Sequence, residues 1–140
     1  MSLAMKQVRD IMTCEITRGR VDFTLREARR LFNKHGFHHL LIFDKRELVG
    51  IISDRDILRH TSPFIEKMAE RTQDLATLNK PVHQIMSRNL TTIPAAAAVK
   101  HAAKIMLSKR VSCLPVTDEN GHVIGLVTHR DLLQLFNQAA

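Results

Sequence analysis

The chain has 140 residues, 44% of them hydrophobic, with no Trp, no Tyr and a net charge of +7. That length suits one well-buried domain or two interlocked small units, leaves no room for a catalytic barrel as well, and with this aliphatic content excludes a disordered chain. No apolar run approaches the roughly 18 residues needed to span a bilayer and no charged-then-apolar segment opens the chain, so a cytoplasmic location is expected.

In chain order, Val8-x-x-Ile11-Met12-Thr13 leads to Thr24-Leu25-Arg26-Glu27, which spells a capping box in which hydroxyl and carboxylate satisfy each other's backbone amides. A helix is predicted from there, ended by Gly36 in the left-handed conformation. Arg26, Arg29, Arg30 and Lys34 share this helix with Leu25, Ala28, Leu31 and Phe32, so its charges read as a solvent face. Phe37–Phe43 and Leu48–Ile52 are short apolar runs either side of Asp44-Lys45-Arg46-Glu47, which predicts two strands and a turn. Ser62-Pro63 starts a second helical pattern with Phe64, Met68 and Leu75 on one side, and Asn79-Lys80-Pro81 stops it. This reads as a packed connecting helix that also suits a subunit contact.

The pattern then recurs. Adding 74 carries Val8 to Val82, Ile11 to Ile85, Met12 to Met86, Ala28 to Ala102 and Asp44 to Asp118; one extra residue near Gly121 makes the offset 75, which carries Gly50 to Gly125 and Asp56 to Asp131. Val99, Ala102, Ile105 and Met106 repeat the helix stripe, Val111–Thr117 and Val123–Val127 repeat the strands, and Asn120-Gly121 marks the turn between them. Each unit is therefore strand, helix, strand, strand, helix, and such a unit buries its apolar face best against its copy.

The doubled pattern Val-x-x-Ile-Met-Thr/Ser, a helix near Ala28 or Ala102, and Gly-h-h-Ser/Thr-x-x-Asp with h apolar resembles the CBS domain, two copies of which make a CBS pair or Bateman module. The resemblance implies an α/β (α+β) fold of two tandem units packed sheet to sheet about a pseudo-twofold. The units are expected at residues 5–60 and 82–140, with 61–81 connecting them. The chain departs from the pattern at Arg20-Val21, where Ser-Pro is usual, and at Leu41, where the second copy has Pro115.

A strand ending at Ser53 and a helix starting there aims free amides and the helix dipole at one point, which favours an anion by roughly 0.3–1 kcal/mol. Arg55 and Arg130 are placed to fork onto phosphate oxygens. In the family resembled, the Ser/Thr hydroxyl and the residue before the Asp face phosphate, and the Asp accepts both ribose hydroxyls of an adenine nucleotide. Carried over, these roles fall on Ser53, Arg55 and Asp56, and on Thr128, Arg130 and Asp131. The resemblance also borrows from the opposite copy: Met12-Thr13 and Phe37-His38 would line the pocket of Thr128 and Asp131, and Met86-Ser87 and Val111-Ser112 that of Ser53 and Asp56. The ligand implied is AMP, ADP, ATP or S-adenosylmethionine, with no cofactor required. Ser53-x-x-Asp56 and Thr128-x-x-Asp131 also spell capping boxes, in which the carboxylate serves its own cap amide rather than a ribose. The sequence leaves both readings open.

Other chemistry is thinly supported. His38 and His39 alternate faces in a strand, and His83, His101, His122 and His129 lack ligand spacing, so no metal is expected. Cys14 and Cys113 fall at unrelated repeat positions and read as reduced thiols, with no base or acid partner for either. The function expected is a non-catalytic sensor that dimerises with a second copy and regulates an unidentified protein. The alternatives are a dimerisation scaffold with degenerate pockets and, less favoured, a basic nucleic-acid binder, because the missing Trp and Tyr weaken base stacking.

Overall fold

The computed structural model describes residues 6–61 and 76–139. The connecting helix predicted from Ser62-Pro63, with Phe64, Met68 and Leu75, lies outside the described residues. The remainder is mixed α/β, with two three-stranded sheets. It divides into two compact units, Thr17–Leu90 and Met1–Ile16 with Thr91–Ala140. The opening of each repeat thus packs in the unit of the other, and the unit of packing differs from the unit of repetition.

In Thr17–Leu90, strand β1 (Arg18–Arg20) runs parallel to β2 (His39–Asp44), and β2 runs antiparallel to β3 (Glu47–Ser53). A parallel pair needs a crossover, and helix α1 (Leu25–His35) supplies it. The predicted box at its start is half-formed. Thr24 Oγ1 accepts from Glu27 N at 3.4 Å, but Glu27 makes no return bond. The segment also pairs with the chain entering the second repeat, Leu25 N donating to Lys80 O at the end of the connection and Val82 N to Phe23 O. Gly36 closes the helix at φ 72°, as predicted. Arg30 and Lys34 are exposed as expected, whereas Arg26 and Arg29 are half-buried and make polar contacts of their own.

The core of this unit is Leu25, Ala28, Phe32, Leu40, Ile42, Ile52 and Ile57 together with Leu78, Val82 and Met86. Helix α2 (Asp54–His60) follows β3 directly, and a short helix α3 (Val82–Ile85) carries Val82 into the core.

The second unit repeats the plan with β4 (Ile93–Pro94), α4 (Val99–Lys109), β5 (Cys113–Thr117), β6 (Val123–Thr128) and α5 (His129–Ala139), in sheet order β4-β5-β6. Val8 enters its core beside Ile93, Ala102, Met106, Leu114, Val116 and Val127. Val8 N and Arg9 N donate to Ala97 O and Ala95 O, which fixes the entry. Helix α4 ends on Arg110 at φ 56°, a left-handed position filled without glycine.

Candidate functional site

Each unit carries one strand-to-helix junction of the same design. At the first, Asp56 N donates to Ser53 Oγ at 3.1 Å and Ser53 N donates to Asp56 Oδ2 at 2.8 Å. At the second, Thr128 N donates to Asp131 Oδ2 at 2.8 Å, Thr128 Oγ1 donates to the same oxygen at 3.2 Å, and Asp131 N reaches Thr128 Oγ1 at 3.4 Å. Both are closed capping boxes with aspartate in the glutamate position. All of these carboxylate bonds fall on Oδ2. A carboxylate offers about four acceptor positions over two oxygens, so Oδ1 of each half-buried aspartate keeps its capacity to accept. Capping and ligand binding therefore do not exclude each other.

Around these junctions the chain places exposed polar groups. Arg55 and Arg130 are exposed on the first turn of their helices. Ser87 exchanges both backbone hydrogen bonds with Ile51, at 2.8 and 3.0 Å, two residues before Ser53. Thr13 does the same with Leu126, at 2.8 and 2.9 Å, two residues before Thr128. The glycine of the motif makes this approach possible: a Cβ on Gly125 would stand 2.8 Å from Thr13 O and 2.9 Å from Met12 Sδ, and one on Gly50 would collide with Met86 Sδ. Met86-Ser87 is thus brought to Ser53 and Asp56, and Met12-Thr13 to Thr128 and Asp131.

The residues before the middle strands lie with their own repeat's junction. His38 O accepts from Asp54 N at 3.1 Å, and His38 Nδ1 lies 2.8 Å from Asp54 Oδ2. Because an ionised carboxylate only accepts, Nδ1 carries the proton in this pair. Phe37 packs edge-on to Phe32, with ring centroids 5.3 Å apart, and stacks on His35 at 5.5 Å. In the second unit Ser112 O accepts from His129 N at 3.0 Å, and Val111 is half-buried against the core. Sequence reasoning misses Asp54. The available signal was the position itself, where the repeats differ as Asp54 with His38 and His129 with Ser112.

Cys113, 6% exposed, is no nucleophile: burial, with the Asp131 charge adding, pushes its thiol up from 9.0 to about 12. Cys14 is exposed. A thiol whose folded value is raised contributes stability that is complete below the unfolded value and is lost as pH climbs through the folded one. Cys113→Ala is therefore expected to flatten the alkaline limb: between pH 8 and pH 11 the wild type loses about 2–3 kcal/mol more than the variant in urea titrations. Equal losses in the two proteins would contradict this. Among the described residues no three of His, Cys, Asp and Glu gather as a metal site, and no helix is long and apolar enough to cross a membrane.

Comparison with known proteins gives a consistent result. A family model described as CBS domain matches residues 8–62 and 82–137. A CBS domain-containing protein of Dictyostelium discoideum is 38% identical over 130 residues, covering 91% of this chain and 89% of that one. In longer relatives the chain spans between 23% and 58% of the length. Among solved structures, the CBS domain pair of protein MJ0100, in complex with 5′-methylthioadenosine and S-adenosyl-L-methionine, is 30% identical with a TM-score of 0.79, covering 96% of this chain and 98% of that one. CBSX2 in complex with AMP is 25% identical with a TM-score of 0.75, covering 95% and 97%.

Proposed function

The chain belongs to the CBS domain family, and on that premise we propose that it is a non-catalytic sensor that binds an adenosine-containing ligand, AMP, ADP, ATP or S-adenosylmethionine, at its strand-to-helix junctions. The observation that carries this reading is the doubled junction, in which Asp56 and Asp131 are fixed by their caps through one oxygen and retain the other as an acceptor. The two hydroxyls of a ribose are the natural donors for such a carboxylate. Ser53 and Thr128, with Arg55 and Arg130, serve the phosphate or its substitute. Met86-Ser87 and Met12-Thr13 wall the same junctions, and His38 and Ser112 border the junction of their own repeat through their backbone carbonyls. The relatives crystallised with 5′-methylthioadenosine, S-adenosyl-L-methionine or AMP support the ligand class.

The sensor acts in the cytoplasm as a homodimer and presents a ligand-dependent surface to a regulated protein. Leu58 and Leu133, equivalent in the two repeats, are 76% and 61% exposed, and Phe136 is 64% exposed, which supports burial of these helices against a second copy. Ligand at about a hundred times its dissociation constant adds roughly 2.7 kcal/mol. A melting scan is therefore expected to rise by about 8–11 °C with at least one of AMP, ADP, ATP and S-adenosylmethionine at such a concentration. No shift with any of the four would contradict the proposal. It would leave the second reading, a dimerisation scaffold, which the exposed Leu58, Leu133 and Phe136 support.

A further inference from the structure

The first repeat holds a depression that the sensor reading does not use. It has a volume of about 530 Å³ and lies where β1 and β2 end, lined by Arg18, Arg20, Asp22, Phe43, Asp44 and Lys45. β2 separates it from the nucleotide motif: His39 pairs with Ser53, and Asp44 lies five residues further on, about 16 Å away at the rise of a strand. We infer that this depression is a second ligand site, for a small polyanion carrying adjacent phosphate groups.

The fold itself does not require these cations. The second repeat builds the same sheet end with Thr92, Pro94 and Glu119 where the first has Arg18, Arg20 and Lys45. Its matching depression, of about 290 Å³, is lined by one cation, Arg9, against Asp118 and Glu119. The first repeat's depression sets three cations against two carboxylates. Arg20 is also where the chain departs from the Ser-Pro of the family pattern, so the departure and the basic depression coincide.

The geometry is suited to an anion. Arg18 Cζ stands 4.2 Å over the centroid of the Phe43 ring, a cation–π contact that holds the guanidinium in place before any ligand arrives. Arg20 Nη2 is 2.9 Å from Asp22 Oδ2, but both side chains are well exposed, 69% and 62%. Such a pair holds weakly, and a phosphate can take the guanidinium from it. Lys45, at φ 58°, forms the tip of the tight turn between β2 and β3. A volume of this size lies within the range of small-molecule pockets, roughly 300–1,000 Å³.

The test is calorimetric titration of the full chain with inorganic pyrophosphate, in the wild type and in the variant Arg18→Thr, Arg20→Ser, Lys45→Glu, with the melting temperature of each recorded. The wild type is expected to bind and the variant to bind at least tenfold more weakly, while Asp56→Glu with Asp131→Glu leaves pyrophosphate affinity unchanged. Should the triple variant fail to fold, Arg20→Ser alone is read the same way, with a smaller loss. The inference is overturned by a wild type that ignores millimolar pyrophosphate, by variants that bind it as tightly as the wild type, or by a loss that follows the two aspartates instead. It is equally overturned if the triple variant loses affinity for single-stranded polynucleotide while the wild type ignores pyrophosphate, which would assign the patch to nucleic acid.

Discussion

Replacing Asp56 and Asp131 together by glutamate is expected to abolish nucleotide stabilisation while leaving the unliganded protein close to wild-type stability. Glutamate is the ordinary partner in a capping box, so the return bonds to Ser53 N and Thr128 N, both 2.8 Å in the native chain, survive the change. The free oxygen of each carboxylate moves by a methylene. A ribose diol placed for the shorter side chain then loses two hydrogen bonds to a charged acceptor, each of about 1.5–3 kcal/mol. The affinity should fall by roughly 10²–10⁴-fold at each site used. Alanine at the same positions also removes the cap, about 0.5–2 kcal/mol per helix, and confounds the two roles. The glutamate variant separates them, read by melting with and without the most stabilising nucleotide. A glutamate variant that binds nucleotide as the wild type does would mean that these carboxylates serve their caps alone.

Met86→Ala is expected to produce the largest loss of stability, about 2–5 kcal/mol. Met86 belongs to the second repeat in sequence but is buried in the core that Leu25, Phe32, Leu40 and Ile52 form, 6% exposed and seated against Gly50. Truncation leaves a cavity beneath the segment whose Ser87 pairs with Ile51, so neighbours tied by backbone bonds have little freedom to collapse into it. For a chain of this length the melting temperature should drop by roughly 6–20 °C. A loss below about 1 kcal/mol would contradict the view that each repeat's opening completes the core of the other's unit.

Much of the fold was legible because its signals are local. Gly36 stops α1 as glycine does wherever a left-handed residue is needed, and the Asn120-Gly121 turn forms with Gly121 at φ 83°. Arg110 fills the equivalent left-handed position after α4 without any composition signal, since arginine there is an unusual choice. The Thr24 box is only half-formed, and what spacing could not show is that the groups on either side of it, Phe23 O and Leu25 N, bond to Val82 N and Lys80 O, more than fifty residues away. The two junction boxes were legible as boxes, but spacing could not say that one carboxylate oxygen does all the capping. The pairing of Ser87 with Ile51 and of Thr13 with Leu126 is invisible to periodicity; the family resemblance implied only that Met86-Ser87 lines the junction of Ser53 and Met12-Thr13 that of Thr128. The basic depression was hidden because parallel pairing of β1 with β2, Arg20 opposite Phe43, is what gathers Arg18, Arg20 and Lys45.

The most direct measurement is a crystal structure of the chain with the nucleotide that raises its melting temperature most. The account predicts that ribose hydroxyls lie within hydrogen-bond distance of Asp56 or Asp131, with Arg55 or Arg130 turned to the phosphate of a nucleotide or the carboxylate of S-adenosylmethionine. A ligand bound elsewhere, with both carboxylates engaged only by Ser53 and Thr128, would contradict it.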